Sequence, residues 1–185
     1  MVFRNRKSIR LQGYDYSRAG AYFITICSYE KEMIFGRVVG DRIDLSDLGV
    51  IVYEELIRST EIRSEIDLDE HEIMPNHIHA IVLITDSGIV GATGGAPTKV
   101  AGPRPKSLGS FASGYKSAVT QRCNKTYPQS SRTIWQRNYH DRIIRDDDEL
   151  EAIRRYIRQN PQAWNRDRHN PNRVVTQDGN GTDFE

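Results

Sequence analysis

The chain has 185 residues, of which 28% are charged and 37% hydrophobic, and its formal net charge is +1. This length suits one domain with its own core, and no apolar run approaches the roughly 18 residues that a membrane-spanning helix needs. The basic N-terminus lacks the apolar segment of a secretory signal, so we predict a cytoplasmic protein. Cys27 and Cys123 lie far apart and outside any C-x-x-C motif, which argues against a disulfide framework or a cysteine zinc site.

Charge is unevenly distributed along the chain. Residues 1–18 carry five basic side chains and one acidic one, and residues 104–173 carry fifteen against seven, whereas residues 19–103 carry six against fourteen. Such segregation can place a basic face on a nearly neutral protein, as in proteins that bind a phosphate backbone. Solvated helix faces would produce the same pattern, so charge alone leaves both interpretations open.

The first half of the chain predicts a strand, a hairpin and a helix. Residues 21–30 are aromatic and β-branched, which favours a strand. Residues 35–46 resemble a hairpin that turns near Gly40-Asp41. Ser46 or Asp47 is expected to cap a helix that reaches about residue 60, because its apolar residues follow helical spacing.

The next segment alternates strands, a loop and a helix. Residues 66–85 predict a long strand, or two strands separated at Met74-Pro75, because proline cannot donate a ladder hydrogen bond. Residues 86–106 are rich in Gly and Pro and predict a flexible loop. A helix is expected from Ser107 to about Thr126, and a strand over residues 133–145.

The last predicted element is a helix that begins after Asp146. Glu149 follows this N-cap by three residues, which is the capping-box spacing. Pro161 is expected to end the helix and to place Asn160 at its last position, because the residue before a proline avoids the α conformation. Tyr156 and Asn160 are four residues apart and therefore share one face. The elements together predict one α+β domain.

Two histidines interrupt the apolar run "IMPNHIHAIVLI" at residues 73–84. In a strand, His77 and His79 project side by side while Ile78, Ala80 and Val82 point the other way. Two imidazoles at this separation can bind one divalent metal. They could equally be satisfied polar groups of the core, and the H-x-H spacing alone does not decide between these interpretations.

Three segments in order carry a resemblance to a known family: "RKSIRLQGYDYSRAGAYFITICS", "MPNHIHAIVLI" and "IWQRNYHDRIIRDDDELEAIRRYIRQNPQAW". Over residues 6–166 the chain resembles the HUH single-tyrosine transposases of the IS200/IS605 class, and within that class the REP-associated tyrosine transposases. The resemblance implies an antiparallel β-sheet backed by helices, the ferredoxin-like or RRM-like HUH fold. It places the domain at residues 1–166 and leaves residues 167–185 as a tail that we expect to be disordered.

The resemblance also implies roles for individual residues. Tyr156 matches the nucleophile, His77 and His79 match the metal-binding pair, and Asn160 matches the polar third ligand, where insertion-sequence members have Gln. The implied cofactor is Mg²⁺ or Mn²⁺, and the implied reaction is nicking and transfer of single-stranded DNA through a 5′-phosphotyrosine. Tyr139 is the alternative nucleophile.

The implied partner is single-stranded DNA with hairpin repeats, at the nucleoid when bound, and we favour a monomer over a homodimer. Two other functions remain open: a hairpin-binding module that does not cut, and an unrelated H-x-H metal hydrolase. The residues expected to contact DNA are basic, with one tryptophan that could stack on a base: Arg4, Arg6, Lys7, Arg10, Lys116, Arg122, Arg137, Arg142, Arg154, Arg155, Arg158 and Trp135.

Overall fold

A computed structural model describes residues 14–85, 105–129 and 132–173 of the chain. Of the basic N-terminal arm that we predict at residues 1–18, residues 1–13 lie outside these ranges, and with them Arg4, Arg6, Lys7 and Arg10. Residues 86–104 of the predicted loop and residues 174–185 of the predicted tail also lie outside them. Within the described part, no helix is both long enough and apolar enough to cross a bilayer.

Six strands and three helices make up the described fold. In chain order they are β1 (Gly20–Cys27), β2 (Gly36–Val39), β3 (Arg42–Leu45), α1 (Asp47–Ile62), β4 (Ile66–Met74), β5 (His77–Ile84), α2 (Leu108–Thr126), β6 (His140–Ile144) and α3 (Asp147–Ala163). The main sheet has the strand order β4-β5-β1-β6, and every neighbouring pair in it is antiparallel. Strands β2 and β3 form a separate hairpin.

The main sheet is covered on both faces. Alternate residues of β1 and β5 point to opposite sides because the side-chain period of a strand is two. Tyr22, Ile24 and Ile78 face the larger core, which α1 and α2 complete. Phe23 and Ile81 face a smaller core, which α3 completes with Ile153 and Ile157. The predicted α+β class, an antiparallel sheet backed by helices, is confirmed.

Local signals in the sequence account for the helix starts. The side-chain oxygen of Ser46 accepts a hydrogen bond from the Gly49 amide at 3.0 Å, and Ser107 does the same at the start of α2. Asp146 accepts from the Glu149 amide at 2.8 Å, as the capping-box spacing predicts. The predicted hairpin turn also forms, and Gly40 supplies its positive φ of 67°.

Two predicted boundaries are wrong. The last strand is β6, which starts at His140 rather than near residue 133; before it, Trp135 makes only an isolated bridge with Ser28. Helix α3 does not stop at Pro161 but continues to Ala163. Proline has no N–H to donate within the helix, but Pro161 and Trp164 are both buried. Their burial favours three more helical residues over the break that local propensity predicts.

Candidate active site

The two histidines of β5 lie side by side on the face that α3 covers. His77 and His79 are fully buried, and their Nε2 atoms are 3.0 Å apart. Ile78 and Ala80 point into the larger core on the other face, as strand alternation predicts. The pairing register puts Cys27 beside His77 and Thr25 beside His79 on the neighbouring strand β1.

His77 is held by its neighbour in the chain. Its Nδ1 atom is 2.9 Å from Oδ1 of Asn76. Burial lowers the pKa of His77 well below the usual histidine value, and the neighbouring titratable imidazoles of His79 and His169 lower it further. The imidazole is therefore neutral at physiological pH and has a lone pair to offer a ligand.

His79 has partners on both sides of its ring. Its Nδ1 atom is 2.9 Å from the hydroxyl of Thr25, and its Nε2 atom is 3.4 Å from the hydroxyl of Tyr156. Phe23 stacks on the imidazole with 5.2 Å between ring centroids, and it meets the ring of Tyr156 edge-on at 6.0 Å. The structure thus brings Tyr156, on α3, to the histidine pair.

Asn160 lies one helical turn beyond Tyr156 and is buried. Its Oδ1 atom has no hydrogen-bond partner among the residues that the structure describes. An unsatisfied buried acceptor costs about 1–3 kcal/mol, so such an atom calls for a specific reason. A bound cation would satisfy this oxygen, as the role implied for Asn160 requires.

The structure adds a carboxylate that the sequence motifs do not indicate. The ligand atoms of Asp167, His77 and His79 all lie within 4.8 Å of one another, a group that could hold a metal ion. Asp167 follows the short 3-10 turn Trp164–Arg166 at the end of α3, and its Oδ1 accepts a hydrogen bond from the His169 amide at 2.5 Å.

Asp167 belongs to a segment that the sequence predicts to be a disordered tail, but Asp167 and His169 lie beside the histidine pair. His169 and Asn170 are buried, and the ring of His169 lies 4.5 Å from that of His77 between centroids. The side-chain amide of Asn170 donates to the Trp164 carbonyl at 2.9 Å. The polar run "DRHN" at residues 167–170 is the only sequence feature that could have indicated these contacts. Its spacing along the chain, however, does not show that it lies near His77 and His79.

The donor atoms at this site fit a hard or borderline divalent ion. Two nitrogens 3.0 Å apart can each lie about 2.1 Å from one ion, with an angle near 90° between them as octahedral ions prefer. Imidazole nitrogens with amide and carboxylate oxygens suit Mn²⁺ and tolerate Mg²⁺. The unsatisfied Asn160 oxygen supplies an acceptor of the required kind.

Ion pairs hold α3 on the edge strand β4. The β4–β5 register shifts between Leu68 and His71, so β4 has a bulge that contains Asp69 and Glu70. Arg154 donates to both carboxylate oxygens of Asp69 at 2.8 and 2.5 Å, and Arg158 lies 3.6 Å from Glu70. Arg154 lowers the pKa of the Asp69 carboxyl. These two arginines, predicted to contact DNA, also fasten the helix that carries Tyr156.

Two of the residues predicted to contact DNA make contacts within the protein. Lys116 points inward and donates to the carbonyls of Gln136 and Asn138, each at 2.9 Å, which holds the segment before β6. Trp135 is buried in contact with Phe35 and Tyr115, so its ring is not available to stack on a base. Local sequence cannot distinguish these inward positions from outward ones.

Four other basic residues of this group belong to the described part of the chain, and all four are at least partly accessible. Arg122 pairs with Glu54 and Glu55, and Arg142 pairs with Glu149 at 2.6 Å. Arg137 and Arg155 are exposed, and neither has an ion-pair partner among residues 14–85, 105–129 and 132–173.

Tyr139, the alternative nucleophile, packs against the larger core and lies under the ammonium group of Lys116, at 5.9 Å from ring centroid to nitrogen. That core lies on the face of the sheet opposite His77 and His79. Tyr156, not Tyr139, is the tyrosine that the structure brings to the histidines.

No protein-family model matches the chain. Among curated protein sequences, the chain is 34% identical over 169 residues to an uncharacterized protein of Haemophilus influenzae. The match spans 88% of this chain and 92% of that one. Identity of this level over nearly the whole of both chains establishes common membership of one family.

Two solved structures are similar to the fold. One is a REP-associated tyrosine transposase bound to a REP hairpin, with a TM-score of 0.58 and 15% identity over 84% of this chain and 74% of the other. The second is a candidate transposase from Deinococcus radiodurans, with a TM-score of 0.43 and 16% identity over 80% of this chain and 94% of the other. The family resemblance that the sequence motifs indicate is confirmed at the level of the fold. The chain therefore belongs to the same family as the Haemophilus influenzae protein and has the fold of the REP-associated tyrosine transposase.

Proposed function

We propose that the protein nicks and rejoins single-stranded DNA at hairpin repeats, with Tyr156 as the nucleophile. The observation that carries this proposal is the position of the Tyr156 hydroxyl, 3.4 Å from Nε2 of His79 and beside a buried pair of imidazoles. A transposase fold supports a DNA-processing role, and the position of the tyrosine supports a covalent route.

In the proposed step, the Tyr156 oxygen attacks a DNA phosphorus and the bond from that phosphorus to the 3′ oxygen breaks. The phenol loses its proton, and the departing 3′ oxygen takes up a proton to become a hydroxyl. The products are a 5′-phosphotyrosine link and a free 3′ end. Attack by a 3′ hydroxyl on the same phosphorus reverses the step, so rejoining needs no nucleotide cofactor.

His77 and His79 would hold a Mg²⁺ or Mn²⁺ ion, together with Asn160 and Asp167. Such an ion, when bound, neutralises charge on the phosphate oxygens and polarises the phosphorus towards attack. The chain itself contributes orientation: Phe23 contacts both His79 and Tyr156, and it limits the directions in which the phenol can point. Asp167 would add a negative charge, which binding of a divalent cation offsets.

The single-stranded substrate is proposed from charge and from the fold. Arg137 and Arg155 are exposed and could each contact one phosphate, and Arg142, Arg122 and Arg158 could exchange an acidic partner for DNA. The solved transposase of similar fold was bound to a REP hairpin. We therefore propose hairpin repeats as the target and one chain as the active unit.

An oligonucleotide assay tests this function. Labelled single-stranded oligonucleotides that form REP-like hairpins are incubated with wild-type protein and Mn²⁺ or Mg²⁺. We expect a protein–DNA adduct that survives denaturation, and we expect it to disappear in Tyr156→Phe but to persist in Tyr139→Phe, the matched control. Stable binding of these hairpins without an adduct would instead support a module that recognises DNA and does not cut it.

A further inference from the structure

Asn76, the residue before the histidine pair, connects three parts of the chain. Its side-chain NH₂ group donates to the Lys31 carbonyl at 3.0 Å and to the His169 carbonyl at 2.8 Å. Its Oδ1 atom faces Nδ1 of His77 at 2.9 Å. Asn76 is fully buried, and its contacts with His77 and His169 are buried too, whereas the contact with the Lys31 carbonyl is partly buried.

The two carbonyls determine which way the amide of Asn76 points. If the amide were turned over, its oxygen would lie 2.8 and 3.0 Å from two carbonyl oxygens, and three acceptors would face one another without a proton. A buried site makes that arrangement costly. The oxygen of Asn76 must therefore be the atom that faces His77.

The orientation of Asn76 in turn selects the tautomer of His77. A carbonyl oxygen can only accept, and so Nδ1 of His77 must carry the proton that lies between them. A neutral imidazole has one N–H, so with the proton on Nδ1 the lone pair available to a cation is on Nε2. That atom is the one that points to Nε2 of His79 at 3.0 Å.

His79 is not constrained in the same way. Its Nδ1 partner is the hydroxyl of Thr25, and a hydroxyl can either donate or accept. His79 can therefore donate its Nε2 proton to His77 when no cation is bound, and it can move that proton to Nδ1 when one is. The tautomer of His77 is thus fixed before a cation binds, whereas His79 can change its tautomer when one binds.

Strained backbone beside Asn76 supports a functional reason for this network. Glu30 and Lys31 have positive φ values of 50° and 57°, in the left-handed region that non-glycine residues avoid. This turn presents the Lys31 carbonyl to Asn76. Strain of this kind, about 1–3 kcal/mol per residue, persists where the surrounding structure requires one geometry.

We infer that Asn76 is a positioning residue that holds His77 in the Nδ1-protonated tautomer, and that its clamp by the Lys31 and His169 carbonyls presets the site for a divalent cation. The inference deepens the proposed function and rests on it for the role of the cation. It also explains why His169 packs beside the histidines: its carbonyl is one of the two that hold the Asn76 amide. Ligand histidines elsewhere are oriented by such partners.

Nitrogen-15 NMR of histidine-labelled protein, without metal or DNA, tests the tautomer directly. We expect His77 to have a protonated Nδ1 and an unprotonated Nε2 in the wild type. The same measurement on Asn76→Ala should show loss of this tautomer or a mixture of the two. A protonated Nε2 on His77 in the wild type would overturn the inference, and this result needs no variant to fold.

Titration with Mn²⁺, followed by calorimetry, tests the consequence for binding. We expect Asn76→Ala to bind Mn²⁺ about 10- to 100-fold more weakly than the wild type, the usual effect of losing a partner of a ligand histidine. Asn124→Ala, which changes an exposed asparagine, is the control and should bind like the wild type. Unchanged Mn²⁺ affinity in a folded Asn76→Ala protein would contradict the inference.

The outcomes separate this inference from the proposed function. If the tautomer and the Mn²⁺ affinity behave as expected but no tyrosine adduct forms, the nicking activity fails and the role of Asn76 stands. If the adduct forms while His77 has a protonated Nε2, the activity stands and the role of Asn76 fails.

Discussion

The hydroxyl oxygen of Tyr156 lies 3.4 Å from Nε2 of His79, although 77 positions separate the two residues in the chain. Both belong to one polypeptide, and α3 reaches the histidine face of the sheet through its own Ile153 and Ile157. Tyr156 and the candidate metal site thus lie close together within one chain.

If one chain supplies both Tyr156 and the histidines of its site, the result of mixing two inactive variants can be predicted. Tyr156→Phe lacks the proposed nucleophile and His79→Ala lacks a proposed ligand, so each alone should form no adduct with hairpin DNA. The mixture should remain inactive, because each chain supplies both parts of its own site. Adduct formation in the mixture would show that the tyrosine acts on a neighbouring chain, as it does when helices are exchanged between subunits.

The charge of Asp167 should strengthen cation binding. In Asp167→Asn the amide oxygen can still accept from the His169 amide, so the turn is kept while the negative charge is lost. We expect Mn²⁺ to bind about tenfold more weakly, a change of about 1.4 kcal/mol. Asp41→Asn, at the exposed hairpin turn, is the control and should leave the affinity unchanged. Equal affinities in all three proteins would remove Asp167 from the site.

Helix α3 should depend on its apolar contacts with the sheet. Ile153 is fully buried between α3 and the sheet, and truncation to Ala leaves a cavity, so the free energy of unfolding should fall by about 2–5 kcal/mol. Ile62→Ala, at a position that is 68% exposed, should change it by less than about 0.5 kcal/mol. Urea unfolding measures both. Similar small losses in the two variants would mean that α3 is not packed as described.

Lys116 should make stability depend on alkaline pH. Burial lowers the pKa of Lys116 to about 8, from 10.5 for an ordinary lysine. Between these values the unfolded chain binds one more proton than the folded chain, so the free energy of unfolding rises with pH there, by at most about 1.4 kcal/mol per unit.

The comparison protein for this prediction is Lys116→Met, which cannot titrate at this position. Urea unfolding at pH 7.5 and pH 9.5 should show the wild type gaining stability relative to Lys116→Met at the higher pH. A stability difference that is the same at both values would show that Lys116 stays charged in the folded protein, held so by the two carbonyls it contacts.

The exposed arginines should govern the salt dependence of DNA binding. If Arg137 and Arg155 each neutralise one phosphate of a single strand, replacing both by Ala should lower the slope of log affinity against log salt by about 1.4, at about 0.7 per contact. Arg42→Ala, on the β2–β3 hairpin, is the control and should keep the wild-type slope. Fluorescence anisotropy of a labelled hairpin at several salt concentrations measures the slope for each protein.

Much of the site follows from patterns that are local in the chain. Strand alternation places His77 and His79 on one face, and helical spacing places Tyr156 and Asn160 one turn apart, because these relations depend only on backbone geometry. The helix starts are equally local, since each N-cap side chain bonds an amide three residues later. These features could be predicted from the amino-acid order.

Tertiary structure decided the rest, because contacts between distant residues depend on strand order and on burial. Thr25 reaches His79 only because β1 pairs with β5 in that register, and Asp167 and His169 reach the site only because α3 continues past Pro161. The inward position of Lys116 depends on where the segment before β6 passes over α2. Residue spacing in the sequence predicts which face of a helix or strand a side chain occupies. The tertiary structure determines which other residues that face contacts.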